Sequence, residues 1–260
     1  MFTIATWNVN SLKVRLEHVL LWLAEMQPDV LALQETKLQD AVFPYAALNE
    51  AGYSVIFSGQ KTYNGMALLS KQKAENIVTD IPDYLDAQRR ILAATINNIR
   101  IINLYVPNGE SVDSAKYQYK LSWLVKVQAY IQQQLQLFPR VVVLGDFNIA
   151  PADADVYDPV LWQDKVLCST SEREALQQLL AIGLIDSFRL FPQPEKSYSW
   201  WDYRMAAFRR DLGLRIDHIL ISQALAAVCK NCTIDKRPRS WERPSDHTPV
   251  MVSLDLASSL

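Results

Sequence analysis

The apolar runs Ile91–Ile96 and Ile99–Val106 are separated by nothing but Asn97-Asn98. Asparagine tolerates the left-handed backbone that a two-residue hairpin demands, so the two runs predict adjacent antiparallel strands. A chain built around such a pair does not follow the regular strand-helix alternation of all-parallel sheets. The other short apolar runs agree. Phe2–Trp7, Val30–Gln34, Tyr53–Phe57, Met66–Ser70, Val141–Leu144, Ile216–Ile221 and Val250–Leu254 all read as strands, and Val141-Val142-Val143 has the β-branched density of a buried one. Three segments read as helices. Leu12, Leu16, Val19, Leu20 and Leu23 form one stripe, with Ser11 as N-cap. Leu121, Leu124, Val125, Gln128, Ile131 and Leu135 form a second, stopped before Pro139. Leu176, Leu179 and Leu180 mark a third, ended at Gly183. Many strands and few helices predict an α/β fold of mixed sheets packed face to face, with helices outside. No Pro/Gly/Ser-rich linker divides it, so a single domain over residues 1–260 is expected.

Composition removes several classes of function. At 50% hydrophobic and 21% charged residues, the chain is neither disordered nor fibrous. It has no unbroken apolar stretch long enough for a membrane helix, and its first residues lack the basic lead of a secretory signal. Three cysteines (Cys168, Cys229, Cys232) are too few for a disulfide framework, so a reducing cytoplasm is the expected location. The net charge of −2 is unevenly divided. Residues 196–243 carry ten Lys/Arg against five Asp/Glu, a basic segment suited to a polyanion on an otherwise acidic body.

The chemistry-bearing residues fall at strand ends. The first strand runs into Trp7-Asn8-Val9-Asn10 and the second into Gln34-Glu35-Thr36-Lys37. Tyr105 near one strand end precedes Pro107-Asn108-Gly109, and Val141–Leu144 runs into Gly145-Asp146-Phe147-Asn148. Asp217-His218 and Ser245-Asp246-His247 sit at strand starts. In a mixed sheet the starts of some strands share an edge with the ends of others, so all six sets can converge on one rim. Glu35, Asp146, Asp217 and Asp246 would then crowd together, and close carboxylates cannot all ionise without a compensating cation. Oxygen ligands with amides alongside suit Mg²⁺ or Mn²⁺ rather than zinc. Taken singly, each motif also reads as a turn with local side-chain caps. The convergence is what carries the site.

In their order along the chain, these motifs, together with Trp200-Trp201-Asp202-Tyr203-Arg204, Leu214-Arg215-Ile216-Asp217 and Ser245-Asp246-His247-Thr248-Pro249, resemble the exodeoxyribonuclease III and apurinic/apyrimidinic (AP) endonuclease family over essentially the whole chain. The resemblance implies a four-layer α/β sandwich of the DNase I type. It implies Mg²⁺-dependent phosphodiester cleavage in double-stranded DNA, with Mn²⁺ able to substitute. The expected activities are incision 5′ to abasic sites, 3′→5′ exonuclease action and removal of 3′ blocks, by a monomer with no membrane partner.

By resemblance, the metal site draws on Asn8, Glu35, Asp146, Asn148, Asp246 and His247. Glu35 binds the ion with Asn8 beside it, and Asn10 lies with Asp246 near a second ion position. Whether one ion or two act stays open. Asp146 positions or deprotonates the attacking water, Asn148 holds the scissile phosphate, and Tyr105 contacts phosphate near the leaving oxygen. His247 contacts phosphate and is oriented by Asp217, whose charge should raise the imidazole pKa. Arg90, Asn108, Trp200, Arg204 and Leu214 are the expected DNA contacts, with Arg89 and Lys61 as further phosphate contacts. Trp200 and Leu214 line a pocket for a baseless sugar flipped out of the duplex, and Leu214 stands where relatives carry tryptophan. Trp201 is expected in the core, His18 at the surface, and Cys229-x-x-Cys232 as incidental thiols.

Two other readings share these residues. One is a phosphoesterase of the same fold acting on RNA, inositol phosphates or lipid headgroups. The other is a catalytically silent DNA-binding module, against which the intact Glu35, Asp146, Asn148, Asp217 and His247 argue. Phosphate-loop, dinucleotide, zincin and serine-hydrolase signatures are absent from the sequence.

Overall fold

A computed structural model describes residues 1–259. In chain order its helices and strands are β1 (Phe2–Asn8), α1 (Leu12–Met26), β2 (Val30–Gln34), α2 (Tyr45–Glu50), β3 (Ser54–Ser58), β4 (Met66–Ser70), β5 (Glu75–Val78), β6 (Ile91–Ile96), β7 (Ile99–Tyr105), α3 (Ala115–Leu137), β8 (Val141–Asp146), α4 (Pro159–Trp162), α5 (Thr170–Ala181), β9 (Leu184–Asp186), β10 (Asp217–Ser222), α6 (Gln223–Ala226), β11 (Cys229–Ile234) and β12 (Val250–Leu254). The strands form two six-stranded sheets, ordered β11-β12-β1-β2-β4-β3 and β5-β6-β7-β8-β10-β9. Each is antiparallel except for one central parallel pair, β1 with β2 and β7 with β8. Asn97 and Asn98 both take positive φ (51° and 59°), closing the expected hairpin between β6 and β7.

Alternation along the strands builds the layers. Val142 and Leu144 face inward to pack with Ile4, Ala32, Leu68 and Val252 of the other sheet, while Val141 and Val143 face outward onto α3 and α5. Ala5, Trp7, Leu31 and Leu33 do the same on the other side, where α1 supplies Val19, Trp22 and Leu23. The result is helix, sheet, sheet, helix, the expected sandwich. A buried polar bridge ties the two sheets together: Gln34 Nε2 donates to Asn103 Oδ1 (2.7 Å), and Asn103 Nδ2 donates to the carbonyls of Leu33 (3.0 Å) and Ala67 (3.1 Å). Among the described residues no helix is long and apolar enough to cross a membrane.

Several expectations need correction. β5, β9 and β11 were not anticipated. All three are edge strands, where one-sided pairing permits short or polar sequences. The buried face of α3 is Tyr117, Lys120, Trp123, Leu124, Val127, Tyr130, Ile131 and Gln134, so the expected stripe is rotated and Val125 is exposed. The three aromatic residues on this face displaced an aliphatic count. Ser11 precedes α1, but its side chain makes no cap bond. The helix start is instead laced to the neighbouring loop by Ser11 N to Glu35 O (2.7 Å) and Leu12 N to Thr36 O (3.0 Å). His18 is half-buried against Trp241 rather than at the surface.

Candidate active site

The topology explains why distant motifs meet. In each sheet the two parallel strands end on the same side, and the antiparallel neighbour begins there. The pairing register sets Asn8 opposite Gln34, Tyr105 opposite Asp146, and Asp217 opposite Asp146. With β1 over β8 and β2 over β7, the two rims coincide. The segment Ser245–His247, entering β12, is stitched to them by Ser245 Oγ donating to Asn8 O (2.7 Å) and Trp201 N donating to Asp246 O (3.0 Å). Asn10 (44°), Glu35 (53°), Lys37 (54°) and Asn148 (50°) all take positive φ where their strands run into this rim.

Asn8 is the junction of the two sheets. Its Nδ2 donates to Glu35 Oε1 (2.9 Å) and to Asp146 Oδ2 (2.9 Å), while its Oδ1 accepts from Asn10 N (3.0 Å). Tyr105 donates its phenol to Glu35 Oε1 (2.8 Å), and Lys37 Nζ lies 2.8 Å from Glu35 Oε2. Burial would raise the Glu35 pKa, but Lys37, Asn8 and Tyr105 outweigh it and hold the carboxyl below its usual value. Tyr105 is pushed well above the usual phenol range, by burial first and then by Glu35 and Asp146, and so keeps its proton.

Beside this pair lies a buried relay. Among the described residues, Asp146, Asp217 and His247 present ligand-type atoms all within 4.8 Å of one another. His247 Nδ1 faces Asp217 Oδ2 at 2.9 Å and Nε2 faces Asp146 Oδ2 at 3.7 Å. Burial favours the neutral imidazole, yet Asp217 and then Asp146 raise the His247 pKa to about 10. Asp146 is pushed up to about 7, chiefly by burial, with Asp217 and Glu35 adding to it against His247. Asn148 completes the group: its backbone N donates to Asp146 Oδ1 (2.9 Å), and its Nδ2 donates to Val106 O (3.0 Å) and Asp146 Oδ2 (3.2 Å).

A second cluster adjoins the first. Asp246 accepts from Trp200 Nε1 (3.0 Å) and from Asn10 Nδ2 (2.9 Å), and Lys37 Nζ bonds Asn10 Oδ1. The remaining expected residues scatter. Arg90 stacks on the Tyr105 ring (4.7 Å), and exposed Asn108 donates to Asn148 Oδ1 (3.1 Å). Both line a cleft of about 880 Å³ with Glu35, Lys37 and Tyr63. Arg204 is at the surface, held by Asp202, and Arg89 is paired with Asp80. Leu214 corrects an expectation. It is wholly buried with Ala150, Val156 and Ile216, and Trp200, its partner across an antiparallel bridge, packs against the same cluster, so Leu214 does not line an open pocket. His247, expected to serve both phosphate and metal, has Nδ1 on Asp217 and Nε2 turned to Asp146, in the same cluster of ligand-type atoms. Trp201 is in the core and the cysteines are free thiols, as expected, with burial pushing Cys232 up to about 12. Sequence reasoning gave no role to Lys37 or to Ser199, whose Oγ donates to Asp217 Oδ2 (2.7 Å). Lys37 stood in a quoted motif, whereas nothing local marks Ser199.

Residues 5–247 match the endonuclease/exonuclease/phosphatase family. The chain is 38% identical over 258 residues to exodeoxyribonuclease III of Haemophilus influenzae, covering 94% of this chain and 97% of that one. It superposes with a TM-score of 0.96 on the 3′ phosphatase NExo from Neisseria bound to a product DNA hairpin, at 47% identity over 98% of this chain and 100% of that one. An AP endonuclease from Archaeoglobus fulgidus gives a TM-score of 0.94 at 39% identity, with the same coverage.

Proposed function

The chain belongs to the endonuclease/exonuclease/phosphatase family, and from that premise we propose a metal-dependent DNA-repair nuclease that cleaves duplex DNA 5′ to abasic sites and trims or unblocks 3′ ends. The observation that carries this reading is the Asn8 amide joining Glu35 to the Asp146–His247–Asp217 relay across the two sheets. It puts a carboxylate for a cation beside a base, a proton-bearing phenol and an imidazolium.

The donor set fits a hard divalent ion. Glu35 is an anionic oxygen donor among amides, and the burial that, with Asp217 and Glu35, lifts Asp146 is a charge penalty a cation relieves. Glu35 would hold the ion, with Asn8 fixing the carboxylate. Mg²⁺ is the proposed metal, supplying charge relief on the phosphate oxygens and a more acidic bound water. The chain's own groups account for the rest. Asp146 in its carboxylate form takes the proton of the attacking water as the new P–O bond forms. His247 and the Asn148 amide offset charge on the non-bridging oxygens. Tyr105 hydrogen-bonds the 3′-oxygen as its bond to phosphorus breaks; that oxygen takes a proton from solvent and leaves as a 3′-hydroxyl, and Asp146 returns the proton it took to solvent. Arg90 on Tyr105, Asn108 at the cleft and Trp200 on Asp246 are the proposed DNA contacts nearest the reacting phosphate, with Arg204 farther out. The proposed enzyme acts as a cytoplasmic monomer.

The test is an end-labelled duplex carrying one tetrahydrofuran abasic mimic, with and without Mg²⁺, resolved on a sequencing gel. One metal-dependent cut 5′ to the lesion is the expected result, and shortening from the 3′ end reads the exonuclease. Tight binding with no cleavage at any metal concentration would overturn the reading.

A further inference from the structure

Lys120 lies on the inner face of α3, and its side chain is wholly buried. Its ammonium has three donors and three acceptors: Asn148 O (2.7 Å), Asn108 O (3.1 Å) and Glu172 Oε1. Glu172 is wholly buried too and binds the start of α5, accepting from Leu167 N (3.0 Å), Ser169 N (3.1 Å) and Ser169 Oγ (2.6 Å). Two desolvated charges are a costly way to fill a core. Apolar side chains of similar volume commonly serve stability as well or better. What an apolar residue cannot do is grip two carbonyls. Those carbonyls belong to the loops after β7 and β8, the loops that carry Asn108 and Asn148 to the rim. Asn148 sits at φ 50°, a left-handed conformation that asparagine tolerates, and its carbonyl is turned to the lysine. Asn108 Nδ2 closes the ring by donating to Asn148 Oδ1 (3.1 Å), and Gly109 leaves just enough room over the lysine stem, since a Cβ there would lie 3.3 Å from Lys120 Cδ.

We infer that Lys120 is a positioning residue for Asn148: its buried ammonium pins the carbonyls of Asn108 and Asn148 and so sets where the Asn148 amide meets the scissile phosphate. This rests on the phosphate-binding role proposed above for Asn148. Lys120 itself touches no substrate.

The experiment compares Glu172→Gln, which keeps the Lys120 donors facing both carbonyls but takes away the ammonium's counter-charge, with Lys120→Met/Glu172→Gln, which removes both carbonyl bonds and leaves neither charge buried. Both are made in the wild-type and Asn148→Ala backgrounds. Single-turnover cleavage of the abasic duplex is read with DNA affinity and thermal melts. Loss of the lysine should lower the cleavage rate about 10- to 100-fold relative to Glu172→Gln, the scale of a small misplacement of a reacting group. DNA affinity should stay within about twofold, and in the Asn148→Ala background the same step should cost less than about twofold. If the double variant does not fold, Lys120→Arg, which keeps the ion pair but presents a planar fork, is read through the same cycle. Equal losses in both backgrounds mean general loosening and overturn the inference, as does no loss at all. Wild-type cleavage by Asn148→Ala would overturn the underlying role of Asn148 as well, a result distinguishable from the other two.

Discussion

The imidazole of His247 is clamped by Asp217, with Nδ1 at 2.9 Å from Oδ2 and 3.1 Å from Oδ1 and both side chains buried. Asp217 is itself fixed by Ser199, so the ring has one orientation, with Nε2 turned to Asp146. Asp217→Asn should lower the single-turnover rate about 10- to 100-fold, the usual cost of losing a group that orients a working histidine. Stability follows with a definite sign. Burial opposes the imidazolium, but the carboxylates raise the His247 pKa from 6.5 to about 10. A raised folded pKa adds stability that is full below the unfolded value and fades as pH rises through the folded one. The Tm gap between wild type and Asp217→Asn should be widest below about pH 6.5 and close above about pH 10. A gap that widens with pH would refute the clamp.

Asp146→Asn should cost more than Asp217→Asn, because it removes the proposed base itself. The expected loss is about 10³-fold or more, at the upper end of general base catalysis, with DNA affinity little changed. The pH profile carries the same signature. Burial, with Asp217 and Glu35, pushes Asp146 up to about 7, and only its carboxylate form accepts a proton. At limiting metal the rate should rise through about pH 7, and saturating metal should move that limb to lower pH, since a cation favours the ionised form. A limb indifferent to metal concentration would argue against the assignment.

Glu35→Gln tests the cation site directly. The variant keeps the shape and the Asn8 and Tyr105 neighbours but not the charge. Calorimetric titration should show Mg²⁺ and Mn²⁺ affinity falling at least about tenfold, and chelator should abolish wild-type cleavage while leaving little activity in the variant to remove. Undiminished metal affinity would place the ion elsewhere.

How much of this was legible in the sequence depends on where each residue gets its meaning. The Asn97-Asn98 hairpin and the β-branched β8 are local facts, and they read correctly. Glu35, Asp146, Asp217 and His247 could be grouped because strand ends in mixed sheets share rims. Edge strands such as β11, Cys229–Ile234, were silent because a strand paired on one side needs no alternating apolar pattern. Leu214 was assigned to the pocket only by its place in the family motif, and its full burial with Ala150, Val156 and Ile216 depends on residues far along the chain that no local pattern reveals. Lys120 and Ser199 are meaningful only through partners far along the chain, and no local pattern distinguishes a buried lysine from a solvated one.

Gly145 shows how the fold enforces the site. It pairs with Leu104 in the parallel β7–β8 register, one step before Tyr105 meets Asp146. Its φ is 138°, and a Cβ at this position would fall 1.9 Å from the Leu104 carbonyl oxygen. The obstruction is backbone, so it cannot swing aside as a side chain would. Gly145→Ala must therefore push β8 from β7 or rotate the peptide that carries Asp146. Either response separates the base from the phenol of Tyr105. Denaturant unfolding should show a loss of about 2–4 kcal/mol, in the range for strain at a special backbone position combined with a buried clash. Cleavage by the folded fraction should fall as well, because positional error at the reacting groups is costly. A variant within about 0.5 kcal/mol of wild type, the usual size of a surface change, and fully active would mean that the close approach of these strands is not what holds Asp146 and Tyr105 together.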